Sequence, residues 1–145
     1  MNFKRFVAAS SSIVVFALAW NGLVHMVILR EADAVLNTIG RPASDRSLVL
    51  SLLVTLVLAL VFVWSYTRYA HRGTLREGLS HGLFFGILAG ILVDLNQYVL
   101  YPIPASLAFL WCAFGIIEFC IYGVIVSRIY RNAFTTELPH KNMSK

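Results

Sequence analysis

Five polar side chains interrupt long apolar stretches of this sequence, and their types are suited to binding a cation or passing a proton. They are Asn21, His25, Asp94, Gln97 and Glu118. Asn21 and His25 lie four residues apart, which places them on one face of a helix. Ionisable groups in apolar segments are costly unless they are paired or reach water. These five residues are therefore the candidate functional cluster of the chain.

Three interpretations of this cluster remain open. In a structural one, Asp94 pairs with His25 or Asn21, and Glu118 is protonated or hydrogen-bonded, because buried polar groups normally find partners. In a functional one, Asp94 and Glu118 are the titrating stations of an ion or proton pathway. In a third, His25, Asp94 and Glu118 bind a metal ion, although no H-E-x-x-H or paired-histidine spacing supports it. With no catalytic, nucleotide-binding or haem motif, we expect no catalytic residue, no metal and no cofactor.

Glycine recurs at every fourth residue of one apolar stretch, and we call this set the glycine row: Gly78, Gly82, Gly86 and Gly90. Glycine costs a helix about 1 kcal/mol relative to alanine, so four in register need a reason. A step of four residues turns a helix by about 400°, so the row forms a nearly straight groove for close helix packing. The expected occupant is a helix of the same chain, and the alternative is a homo-oligomer or partner-protein interface.

Four apolar stretches carry these residues, at about 6–29, 48–69, 79–101 and 105–126. Continuous runs of about 20 apolar residues are typical of transmembrane helices. Of the 145 residues, 59% are hydrophobic and 13% charged, whereas soluble domains are about half apolar and a quarter charged. We therefore expect an all-α fold, an integral membrane four-helix bundle. It forms a single domain over residues 1–131, followed by a polar cytoplasmic tail over 132–145.

The first connection is expected to contain a short amphipathic helix on the membrane surface. Its apolar residues recur at helical spacing: Ala32, Val35, Leu36 and Ile39. The acids and Asn37 would face away from the apolar side, towards water. Gly40 would end this helix, and Pro42 would prevent its continuation.

Lysine and arginine indicate the orientation of the bundle. With both termini in the cytoplasm, nine of the twelve basic residues lie inside and three outside, as the positive-inside rule favours. We expect a multi-pass protein of the cell inner membrane, and the net charge of +5 then needs no nucleic acid. His71 and His81 would lie at the cytoplasmic edge, in contact with solvent. An alternative at the start is a signal peptide cleaved after residues 17–19, but the apolar run continues to Leu29, which favours a retained helix.

Four features of the sequence together support a resemblance to a known class of membrane proteins. They are the N-x-x-x-H of Asn21 to His25, the Gly-Arg-Pro at 40–42, the glycine-rich third helix, and a tryptophan-bearing fourth helix ending in Gly123 and Arg128. In these features the chain resembles small uncharacterised four-helix proteins of the bacterial inner membrane. The resemblance implies a fold and a location and carries no activity.

The expected function is that of a non-enzymatic accessory, assembly or packing subunit. Its partners would be the lipid bilayer and a second copy or another membrane protein. The alternative is a small oligomeric transporter or channel that uses Asp94 and Glu118, and a membrane enzyme ranks third. The small multidrug transporters, which also have four helices, carry their membrane glutamate on the first helix, where this sequence has none.

Overall fold

Four long helices and one short helix make up the fold. The structure is a computed structural model that describes residues 2–131. Its long helices are α1 (Phe3–Ile28), α3 (Leu48–Tyr69), α4 (Leu75–Leu100) and α5 (Ala105–Tyr130), and α2 (Leu36–Ile39) is a single turn in the first connection. No strand occurs in the described part of the chain, so the all-α four-helix fold is confirmed. By length and composition, each long helix is able to cross a membrane.

The bundle has two ends. The loop end carries residues 29–47 and 101–104, and the terminal end carries Asn2, residues 70–74 and Arg131. At the terminal end, α4 begins four residues earlier than predicted because Thr74 and Glu77 form a capping box, which satisfies backbone N–H groups that a hydropathy pattern does not register. At the same end α5 continues to Tyr130, four residues past the predicted 126. The predicted tail, 132–145, lies outside the described residues.

The glycine row of α4 is filled by α5. A Cβ added at Gly82 would lie 2.8 Å from the Cα of Cys120, and one at Gly86 would lie 2.8 Å from the Cα of Ile116. Such distances are well inside the contact distance of two carbon atoms, so the two backbones approach closely only because the row has no side chains. The groove therefore holds a helix of this chain and is not open to a second protein.

Two hydrophobic clusters hold the bundle together, one in each half. In the terminal half, the ring of Phe62 packs against the rings of Phe85, Phe119 and Tyr122 at centroid distances of 5.2, 6.0 and 5.8 Å. In the loop half, the buried residues are Val24, Leu29, Ile103, Leu107, Ala108 and Trp111. The terminal half is thus closed by aromatic side chains.

Helix α3 packs on the bundle through its terminal half alone. Its buried residues begin at Ala59, and every residue from Leu48 to Leu58 except Thr55 is exposed. The loop half of α3 therefore stands away from the other helices and leaves a gap, which Val54 and Leu58 border.

The first connection contains the predicted short helix in two pieces. A 3-10 turn, Ala32–Val35, leads into α2, which ends at Gly40 as predicted. Val35, Leu36 and Ile39 pack against the buried cluster of the loop half, whereas Ala32 is exposed. The segment 32–39 thus covers the loop end of the bundle.

Candidate functional site

The five predicted polar residues line one cleft in the loop half of the bundle. This polar cleft has a volume of about 500 Å³. Its walls come from α1, α2, α3, α4 and α5: Trp20, Asn21, Val24, His25, Leu36, Val54, Leu58, Ala89, Val93, Asp94, Gln97, Trp111, Phe114, Gly115, Glu118 and Phe119. Residues that lie far apart in the sequence therefore share one site.

Two π-helical turns border the cleft, and each carries a member of the polar cluster. The last turn of α1, Val24–Ile28, contains His25, and the stretch Gly90–Leu95 of α4 contains Asp94. In α1 the N–H of Leu29 donates to the carbonyl of Val24, five residues back, at 2.7 Å. Short π-helical segments within α-helices occur often at functional sites because they redirect nearby side chains. No sequence pattern used above indicated them.

His25 pairs with Asp33, which the sequence analysis had assigned to the solvent side. The Nδ1 atom of His25 lies 2.7 Å from Oδ2 of Asp33, and the indole N–H of Trp111 donates to Oδ1 of Asp33 at 2.9 Å. The Asp33 side chain is only 12% exposed. The structural interpretation, in which Asp94 pairs with His25 or Asn21, does not hold for Asp94, because His25 pairs with Asp33. The expectation that the loop acids all face water is wrong for Asp33.

The geometry of the 3-10 turn explains this correction. Side chains three residues apart eclipse each other in a 3-10 helix. Asp33 therefore lies on the same side as Leu36, which packs on the bundle. In an α-helix the same two residues would be offset by about 60°, and Asp33 would lie nearer the edge of the apolar face. Asp33 is the residue beside the candidate site that the sequence did not indicate.

Glu118 is held by hydrogen bonds from two directions. The side-chain amide of Asn21 donates to Oε1 of Glu118 at 2.9 Å, and the hydroxyl of Tyr122 donates to the same oxygen. Asn21 also donates to the backbone carbonyl of Ala17 at 2.9 Å. This part of the cluster agrees with the structural interpretation, in which Glu118 is hydrogen-bonded to an aromatic neighbour.

Asp94 differs from the other two acids of the cleft. Its carboxylate makes no hydrogen bond or ion pair with any of residues 2–131. It is half-buried, and its Oδ2 atom faces Gly115, where an added Cβ would lie 3.5 Å away. Asp94 is thus a carboxylate that faces the cleft and can accept a ligand.

The charges around the cleft are unbalanced. Asp94 and Glu118 line it, Asp33 lies at its edge on His25, and no lysine or arginine is among the described lining residues. Trp20, Trp111 and Phe114 supply aromatic faces, which attract cations through the ring quadrupole. Such a site favours a positively charged ligand.

A metal ion is a poorer match for the cleft. Within residues 2–131, no three histidine, cysteine, aspartate or glutamate side chains are grouped closely enough to hold one. The arrangement of His25, Asp94 and Glu118 therefore does not form the metal site considered from the sequence.

His81 lies inside the bundle rather than in solvent. Its Nε2 atom is 3.1 Å from Oγ of Ser65 and 3.2 Å from the carbonyl oxygen of Phe62. The rings of Phe62 and Phe85 pack on the imidazole at 4.7 and 4.9 Å. The expectation of a solvated His81 is wrong, and His71 is exposed as expected.

Comparison with protein-family models, with curated proteins and with solved structures found no match.

Proposed function

We propose that this protein is a small transporter that binds a cation in the polar cleft. The observation that carries the proposal is the carboxylate of Asp94, which faces the cleft and makes no hydrogen bond or ion pair with any of residues 2–131. An ionisable group at membrane depth is costly, and by default it indicates a site on a substrate or ion pathway. Asp94 would supply the charge that binds the cation, and the aromatic walls would supply a face for it.

The other parts of the cleft have different roles in the proposed binding. Glu118 is occupied by Asn21 and Tyr122, so its role is to set the shape and polarity of the floor. Beyond it, the aromatic cluster around Phe62 fills the terminal half. A cation would therefore enter from the loop end and stop at the level of Glu118, as in one state of an alternating-access cycle.

The proposed location is the inner membrane, with both termini in the cytoplasm. Seven basic residues lie at the terminal end of the described chain: Lys4, Arg5, Arg68, Arg72, Arg76, Arg128 and Arg131. We expect a green fluorescent protein fused to the C-terminus to fluoresce and an alkaline phosphatase fused there to be inactive. An active phosphatase would reverse the orientation and place the cleft on the cytoplasmic side.

Tryptophan fluorescence tests the cation site directly. Trp20 and Trp111 line the cleft and Trp64 does not, so the Trp64→Phe variant reports on the cleft alone. Adding benzyltrimethylammonium to this variant in detergent should change its emission saturably, with a dissociation constant below about 1 mM. Benzenesulfonate, which has a similar ring and the opposite charge, should cause no saturable change.

The control is a Trp20→Phe/Trp111→Phe variant that retains Trp64. It should give no response to either compound, because Trp64 lies outside the cleft. An equal response to the anion, or no response to the cation, would contradict the proposal. In that case a second protein chain in the gently extracted sample would favour the accessory subunit, with the exposed loop half of α3 as its interface.

A further inference from the structure

A second cleft lies at the terminal end of the bundle, far from the polar one. It has a volume of about 530 Å³ and is formed by the connection between α3 and α4 and by the last turns of α5. Arg72 contributes from the connection, and Arg128 and Arg131 contribute from α5. We call it the arginine cleft. Guanidinium groups converging from two elements are suited to bind phosphate oxygens.

The acid nearest to this cleft is not paired with the side chains of Arg72 and Arg128. Glu77 is the only acidic residue at the terminal end of the described chain. Its carboxylate accepts hydrogen bonds from the backbone N–H groups of Arg72 and Thr74, both at 3.1 Å, and of His71 at 3.3 Å. The guanidinium groups of Arg72 and Arg128 have no ion pair or hydrogen bond with any of residues 2–131. The positive charge is therefore available to a ligand.

The start of α4 does not itself supply the site. The hydroxyl oxygen of Thr74 already accepts from the N–H of Glu77 at 3.2 Å, and the Glu77 carboxylate closes the same turn. Gly73 has a φ of 63°, which lets the chain reverse between α3 and α4 at no steric cost. The turn is thereby fixed, and the guanidinium groups of Arg72 and Arg128 are left to bind a ligand.

An apolar groove continues from the arginine cleft along the bundle. Leu75 lines both, and the groove runs on past Leu79 and Leu83 towards Cys120. The three leucines follow at four-residue intervals along α4, and each is exposed. A charged cleft joined to an apolar groove matches a molecule that has a phosphate at one end and a hydrocarbon chain at the other.

We propose that the arginine cleft binds the phosphate group of an anionic phospholipid, whose acyl chain lies in the groove along Leu79 and Leu83. Basic pockets between transmembrane helices on the cytoplasmic side recognise anionic headgroups in this way. The site is separate from the polar cleft and independent of cation binding there. Free inorganic phosphate shares the headgroup chemistry and lacks the acyl chain, so the two sources can be told apart.

Native mass spectrometry of the purified protein in detergent tests the proposal. Phosphatidylglycerol should bind at least about fivefold more tightly than phosphatidylcholine, which has no net charge. Arg72→Gln and Arg128→Gln should each weaken phosphatidylglycerol binding about fivefold, and the double variant more. Arg68→Gln removes the same charge at the same end from a residue that does not line the cleft, and it should leave the affinity unchanged.

Three results would overturn the assignment. Equal binding of the two lipids would show that the net charge of the headgroup is not recognised. Equal losses of phosphatidylglycerol affinity in Arg68→Gln and Arg72→Gln would mean that the lipid responds to the overall positive charge of this end and not to the cleft. Displacement of phosphatidylglycerol by inorganic phosphate at similar concentrations would assign the cleft to a soluble phosphate. Size-exclusion profiles of all variants establish that they remain folded, so a loss of binding reports on the site.

Discussion

Replacing Asp94 by asparagine is expected to weaken cation binding by about thirtyfold or more and to stop cation flux through reconstituted vesicles. Truncating the charge that meets a desolvated ligand charge costs about 2–5 kcal/mol, and Asp94 is the one acid lining the polar cleft that holds no partner in the described chain. The same benzyltrimethylammonium titration of the Trp64→Phe variant measures the affinity, and vesicle uptake measures the flux. The change should leave the fold intact, because no hydrogen bond of Asp94 is lost.

The controls separate the charge of Asp94 from its surroundings. Asp45→Asn makes the same substitution in the first connection, outside the cleft, and should bind as the parent does. Asp94→Glu keeps the charge and should retain part of the affinity. Glu118→Gln keeps an acceptor oxygen for Asn21 and Tyr122 but removes the charge that strengthens both hydrogen bonds, so it should lower stability as well as binding. Unchanged binding in Asp94→Asn would refute the cation site.

Replacing Gly82 by alanine is expected to destabilise the bundle by about 2–3 kcal/mol. The new methyl group would meet the backbone of α5, with the Cα of Cys120 2.8 Å away and the carbonyl oxygen of Phe119 closer still. Backbone atoms cannot move aside as a side chain does, so α4 and α5 must separate. Alanine favours a helix over glycine by about 1 kcal/mol. The expected loss of stability is therefore opposite to the effect of helix propensity alone.

Gly22→Ala is the matched control for this prediction. A Cβ at Gly22 would have nothing within 4 Å, so the propensity gain acts alone and stability should stay level or rise by up to about 1 kcal/mol. Unfolding in mixed micelles, followed by circular dichroism, gives both values. If the two substitutions had the same effect, the close approach of α4 and α5 would not be real.

Several features were predictable because they depend on local pattern alone. The lengths of the apolar runs give four long helices, since a continuous apolar stretch has no other stable form in lipid. The glycine row predicts a close helix contact, because a missing side chain has the same consequence for any neighbour. The loop helix ends at Gly40, where an added Cβ would lie 2.6 Å from the carbonyl oxygen of Leu36.

Partners in the cleft were harder to predict, since each depends on how two helices are rotated against each other. In one interpretation of the sequence His25 or Asn21 pairs with Asp94, whereas in the structure His25 pairs with Asp33. The difference comes from a 3-10 turn that brings Asp33 under Leu36. His81 was expected in solvent, yet the packing of α4 against α3 places it beside Ser65. Helical periodicity along one segment contains no information about such rotations.

The sequence by itself determined that the chain forms four apolar helices, that one helix carries a groove of glycines, and that five polar residues occur within these helices. Tertiary structure alone decided that α5 fills the groove, that the five residues share one cleft, and that Asp94 makes no hydrogen bond or ion pair in the described chain. The physical reason is the distance along the sequence over which each interaction acts. Hydrophobicity and glycine act within one segment, whereas a hydrogen bond requires two groups from distant segments to meet within about 3 Å.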